Sequence, residues 1–159
     1  MYQRILVPID GSPTSNRGLD EATALAKLTG GRLRLIHAVD ELTYATGFET
    51  YAAYAADVIP AMKKAGEELL KRGKQRAEGQ GVAVDAVLLE GQGVRLSDMV
   101  IEHAQSWKAD LIVIGTHGRR GVRRLLLGSD AEQILRLSSV PVLLVRGVAA
   151  DADSALATA

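Results

Sequence analysis

Apolar residues along this chain fall into two recurring patterns, short unbroken runs and stretches that repeat every three to four positions, and the two alternate. The runs Arg4 to Ile9, Leu33 to Val39, Val82 to Leu89, Leu111 to Ile114 and Val140 to Val145 have the length and β-branched content of strands. Between them, helical spacing is kept by Leu19, Ala22, Leu25, Ala26 and Thr29, by Met62, Ala65, Leu69 and Arg72-Gly73, by Leu96, Met99, Val100, His103 and Trp107, and by Ala131, Ile134, Leu135 and Leu137. Turn chemistry agrees with these limits. Asp10-Gly11-Ser12-Pro13 is a sharp strand exit in which Ser12 can cap a helix and Pro13 can occupy its first position, and Gly30-Gly31 ends that helix. A second helix is expected from Val58 or Pro60 to Ala77, closed by Gly79 and Gly81. Alternating strands and helices predict an α/β fold, a single-domain, doubly wound, five-stranded parallel sheet. Right-handed crossovers in the order 3-2-1-4-5 put the strand ending at Ile9 beside the strand ending at Ile114. Their helices diverge there, and a crevice opens at the carboxyl ends of the strands.

Two segments break the pattern. From Asp40-Glu41 to about Tyr54 there is no clear period, and this stretch carries Tyr44, Phe48, Tyr51 and Tyr54. These residues could form a lid over a ligand or pack a connecting segment onto the body, and packing is the favoured reading. After Arg146 the chain changes to an Ala/Asp/Ser tail, so a folded domain is expected over 1–146 and a disordered tail over 147–159.

Candidate chemistry concentrates between Asp110 and Arg146. Gly115, two residues, Gly118, nine residues and Gly128-Ser129 form a fixed pattern that starts at the carboxyl end of a buried strand. Glycine lets backbone come close to a sugar or phosphate, and Ser129 with Glu132 reads as a capping box that starts a helix at Ser129, whose N-terminus is an anion site. Together these features read as a nucleotide-phosphate cradle. Arg119, Arg120, Arg123 and Arg124 lie inside it, where they could neutralise phosphate.

With its preceding strand and the closing Val-Pro-Val-Leu-Leu-Val, the pattern resembles the ATP-binding branch of the universal stress protein family. Ile5 to Ser12 and Leu35-Ile36-His37-Ala38-Val39 are similar to that family's first two strands, so the resemblance covers about residues 3 to 146. It implies a Rossmann-like fold that binds an adenine nucleotide, ATP for choice, with Mg2+ as a companion, and it implies residue roles. Pro8 would line the base pocket. Asp10 would contact the ribose or a divalent cation, although a plain turn aspartate is an equal reading. Ala38 would read the adenine edge through its backbone N–H and C=O, Gly115 would lie against the ribose, and Gly118, Gly128 and Ser129 would present donors to phosphate, with His117 assisting. Asp130 departs from this picture, since a carboxylate in the first helical turn repels bound phosphate.

Composition narrows the alternatives. The chain has 19 basic and 19 acidic residues, so no global field draws it to nucleic acid or to a membrane surface, and the arginine run has no matching basic stripe. No cysteine is present, which removes disulfides and thiolate chemistry, and three scattered histidines show no metal-ligand spacing. There is no signal-peptide pattern and no membrane-length apolar run, so a cytoplasmic location is expected. Gly91-Gln92-Gly93 lacks the third glycine of a dinucleotide fingerprint, because Leu96 stands there, and no Walker A lysine follows any glycine. His103 reads as an interior histidine. Without a nucleophile elbow or a paired-carboxylate spacing, a regulatory binding module is expected rather than an enzyme, with slow ATP hydrolysis through His117 or Asp10 left open. The alternative is an interaction module that keeps the fold without using the pocket. Val140 to Val145 is apolar on both faces, contains Pro141 and carries no charge, which predicts an edge strand that pairs with its copy in a homodimer.

Overall fold

The computed structural model describes residues 1–40, 57–91, 93–116 and 128–146. Strands β1 (Arg4–Pro8), β2 (Arg32–Asp40), β3 (Ala83–Gly91), β4 (Leu111–Gly115) and β5 (Val142–Val145) alternate with helices α1 (Pro13–Thr29), α2 (Ile59–Glu78), α3 (Leu96–Ser106) and α4 (Ser129–Leu137). All strand pairs are parallel and the sheet order is β3-β2-β1-β4-β5, as the crossover argument requires. Tyr44, Phe48, Tyr51, Tyr54, His117, Gly118, the four arginines between Arg119 and Arg124, and the 147–159 tail lie outside the described residues.

The central strands are apolar on both faces because helices cover both. Ile5, Val7, Leu33, Leu35, Leu111 and Val113 point into a core closed by Leu19, Ala22 and Ala26 of α1 and by Leu69, Leu70 and Ala77 of α2. Leu6, Ile36, Ile112 and Ile114 point the other way, against Val100 and Ala104 of α3 and Ala131 and Ile134 of α4. Each strand thus supplies alternate residues to two separate cores.

Helix limits follow local chemistry. Ser12 caps α1 by accepting the Ser15 N–H at 3.2 Å, Pro13 opens it, and Gly30 closes it at φ 66°. Two expectations are corrected. The buried face of α2 is Gly66, Leu69, Leu70, Gly73 and Ala77, while Ala65 and Arg72 are exposed. Two glycines lie on the buried side because the helix comes close to the sheet: a Cβ at Gly73 would sit 3.0 Å from Leu35 Cδ1 and 3.1 Å from Ile9 Cδ1. In α4, Ala131 and Ile134 are buried but Leu135 and Leu137 are exposed, since the nine-residue helix offers the sheet only one narrow stripe.

At the amino end of the sheet Trp107 is buried beneath three arginines, with Arg34, Arg4 and Arg32 at 4.7, 5.4 and 5.8 Å from its ring centre. Asp85 holds Arg34 through two bonds of 2.6 and 2.8 Å, an arrangement that raises the arginine further above its ordinary value. His103 lies 3.5 Å from Arg34 through Nε2, far from any strand's carboxyl end, consistent with an interior residue. Burial first and the Arg34 charge second push its imidazole below the ordinary histidine value, with Asp85 opposing them.

The folded protein therefore takes up the His103 proton less readily than the unfolded chain. Its contribution to stability is present above the ordinary histidine range, about pH 6.5, and is lost as pH falls through the lowered folded value. His103→Gln keeps an acceptor beside Arg34 but does not titrate. Melting curves between about pH 7 and pH 5 should fall less steeply for this variant, and an unchanged acid limb would contradict the assignment.

Candidate functional site

β1 and β4 are neighbours, but their chains leave the sheet on opposite faces, β1 into α1 and β4 toward α4. The gap left between them is where the crevice is expected, and hydrogen bonds hold each of its walls in place. Asp10 N–H donates to Ser15 Oγ at 3.1 Å, while Asp10 Oδ1 accepts the Ser12 N–H at 2.9 Å. The turn-aspartate role is thus real, and one carboxylate oxygen is committed to it. On the other wall, Gly128 N–H donates to Thr116 O at 2.9 Å, joining the start of α4 to the end of β4.

Gly115 is a glycine for a packing reason. A Cβ there would stand 3.0 Å from Thr14 C and Cγ2 and 3.1 Å from Ser15 N, and a Cβ at Gly18 would lie 3.6 Å from Gly115 N. The missing side chain admits the first turn of α1. Its backbone still forms the rim of the crevice.

The start of α4 differs from the capping-box expectation. Gly128 is the N-cap, with extended backbone at φ −61° and ψ 144°, and Ser129 is the first helical residue; among the described residues no side chain caps the end. The capping box fails because the helix starts one residue earlier than its serine requires, at Ser129 itself and not after it. Glu132 N–H bonds Gly128 O, and the N–H groups of Ser129, Asp130 and Ala131 precede that first helical bond. Gly128, expected to offer its N–H to phosphate, gives it to Thr116 instead. Ser129 and Asp130 are both exposed, so the Asp130 carboxylate is at the surface of the first turn.

Pro8 is buried at the end of β1, paired in register with Ile36. Ala38 is half-buried in β2, in register with Leu89 of β3 on one side. The N–H and C=O of one strand residue point to the same side and alternate along the strand. Ile36 O accepts the Ile9 N–H at 2.8 Å, so Ala38, two residues on, turns both its backbone groups toward β1. β1 has already left the sheet at that level, and the Ala38 edge faces the crevice.

Asp10, Ala38, Gly115 and the start of α4 therefore converge at one edge of the sheet. Among the described residues no group of three His, Asp or Glu side chains could hold a metal ion. Sequence reasoning overlooked Ser15, which is buried and holds the Asp10 turn, and His37, whose Nδ1 lies 2.7 Å from Ile9 O. A serine three residues after the capping Ser12 was the visible signal for the first. A histidine within an apolar strand was the signal for the second.

Residues 1–146 match the sequence profile described as the Universal stress protein family. Universal stress protein MJ0531 of Methanocaldococcus jannaschii is 34% identical over 146 residues, which cover 92% of this chain and 83% of that protein. A crystal structure of a protein from the same family from Burkholderia pseudomallei superposes with a TM-score of 0.72 at 30% identity, covering 91% of this chain and 96% of the other. A universal stress protein solved in complex with cAMP superposes with a TM-score of 0.64 at 26% identity, covering 92% and 98%.

The Gly115 contact can be tested without a ligand. Gly115→Ala should lower unfolding stability by about 1–3 kcal/mol, because the new methyl meets the backbone of Thr14 and Ser15 in α1 as well as the Thr14 methyl. Urea denaturation that shows no loss would mean α1 is free to shift.

Proposed function

Because this chain belongs to the universal stress protein family, we propose that its crevice binds an adenine nucleotide, ATP for choice, and that the protein works as a regulatory module whose loaded and empty states differ for a partner. The observation that carries this reading is the start of α4, which no side chain among the described residues caps. Three successive N–H groups precede the first helical bond at the rim of the crevice, and Gly128 fixes them to the end of β4. Such an end attracts phosphate through its unpaired donors and its dipole. The relative bound to cAMP supports an adenine-nucleotide ligand.

Each remaining residue has a role that its position supports. Ala38 offers a donor and an acceptor side by side, which match the adenine N1 and 6-amino group. Pro8 lies beneath that edge, and Gly115 passes close to the ribose. Asp10, whose Oδ1 accepts the Ser12 N–H at the end of β1, is placed to meet a ribose hydroxyl or a Mg2+ that the phosphates help to ligate. Gly118 and His117 belong to the same cradle by the family pattern. Asp130, exposed on α4, would weaken phosphate binding modestly. The described residues support binding better than turnover, and we assign the protein no catalytic residue.

The same reading includes a homodimer. Among the described residues β5 is an edge strand bonded to β4 alone, and Leu143 on it is 40% exposed. An apolar strand edge of this kind is stable when covered, and pairing with its copy covers it without a second partner. Light scattering should give a dimeric mass for the protein and a monomeric mass for Leu143→Glu. A monomeric wild type would overturn the dimer.

Ser129→Pro tests the phosphate site directly. Proline is tolerated at a first helical position, and the extended backbone of Gly128 suits the residue before it, so one N–H is removed while the helix stays intact. Calorimetric titration with Mg-ATP should show affinity reduced about tenfold, with AMP reduced less. Equal ATP affinity in both proteins would remove α4 from the site. No saturable binding by the wild type would favour the pocket-independent interaction module.

A further inference from the structure

We infer that His37 is a positioning residue that keeps the Ala38 edge of β2 open, acting through the Ile9 carbonyl and not by touching a ligand. The argument begins with the last rung between β1 and β2, Ile9 N–H to Ile36 O at 2.8 Å. In a parallel ladder the next rung is fixed by the same alternation: Ala38 N–H would donate to Ile9 O. That rung is absent, and the register of the pair ends at Pro8 and Ile36. Ile9 O instead lies 2.7 Å from His37 Nδ1. A carbonyl oxygen only accepts, so Nδ1 carries the proton and donates it.

Capture of the Ile9 carbonyl has two consequences. It draws the end of β1 toward the face covered by α2, and it leaves Ala38 N–H without its ladder acceptor. The ring can occupy this place because α2 has no side chain there: a Cβ at Gly66 would stand 2.7 Å from His37 Cδ2 and 3.4 Å from Nε2. Gly66 and His37 thus form one device, a helix glycine that makes room for a strand imidazole. Without it, the ordinary course of a parallel pair would close the rung and take away the donor that sits beside the Ala38 acceptor.

This inference rests on the adenine reading for its purpose but not for its geometry, so the test has two independent readouts. His37→Leu keeps an apolar side chain and loses the donor. His37→Asn keeps a donor, because its amide nitrogen is the same number of bonds from the backbone as Nδ1. Amide exchange of the ligand-free proteins, followed residue by residue by NMR, should show the Ala38 N–H slowed at least about tenfold in His37→Leu, as Ile9 O returns to the ladder, and near the wild-type rate in His37→Asn. Should His37→Leu not fold, His37→Gln, whose donor lies one bond further out, replaces it.

The second readout is affinity for Mg-ATP beside tripolyphosphate, which carries the phosphates without the base. We expect ATP binding to fall about tenfold in His37→Leu and recover in His37→Asn, with tripolyphosphate unchanged in both. Unchanged exchange at Ala38 would overturn the positioning role. Slowed exchange with undiminished ATP affinity would overturn the claim that the open edge reads the base. Failure of the wild type to bind ATP would overturn the nucleotide reading itself, with the exchange rates still deciding whether His37 holds the strand end.

Discussion

The carboxyl edge of the sheet depends on how closely the first turn of α1 lies against the end of β4. Gly115 and Gly18 face one another across that contact, and the backbone of Thr14 and Ser15 occupies the volume a side chain at Gly115 would need. Because α1 begins where it does, Ser15 is in place to accept the Asp10 N–H and Ser12 to cap the helix. One steric allowance therefore sets the position of the loop after β1 relative to β4. The crevice is the space that remains.

A second close approach shapes the other wall. Gly66 and Gly73 bring α2 down onto Leu35, Ile9 and His37, so the same helix that buries Leu69 and Leu70 also sets the height at which the imidazole meets the Ile9 carbonyl. Glycine in a helix interior costs about 1 kcal/mol relative to alanine. Here the closer packing of two elements offsets that cost. The two glycine contacts lie on the face shared by α1 and α2, whereas the start of α4 lies on the face shared with α3. The site draws on both cores.

Much of this was legible in the residues. Unbroken runs such as Leu111 to Ile114 signal a strand covered on both faces, and right-handed crossovers leave few orders for five of them, so the β1–β4 gap follows from pattern and chirality. Caps with unambiguous chemistry were also legible, as at Ser12-Pro13 and Gly30. The capping box at Ser129 was not, because Ser-x-x-Glu also occurs when the serine is the first helical residue, and only the backbone of Gly128 distinguishes the two. The buried face of α2 was misread for a related reason. Glycine carries no hydrophobic signal, so Gly66 was passed over for its exposed neighbour Ala65 although it lies, with Leu69 and Gly73, on the face that packs against the sheet.

What the sequence by itself determined is the order of elements, their direction and the edge at which a ligand would meet them, because hydrophobic period and turn chemistry are local and chirality is universal. What only the tertiary structure decided is which atoms remain available there. Whether Gly128 offers its N–H or gives it to Thr116, and whether Ile9 O bonds Ala38 or His37, depends on groups far apart in the chain competing for a single partner. A backbone N–H has one proton to give and a carbonyl oxygen bonds only the donors that lie in line with it, so both outcomes are questions of distance. No spacing in the sequence encodes that distance.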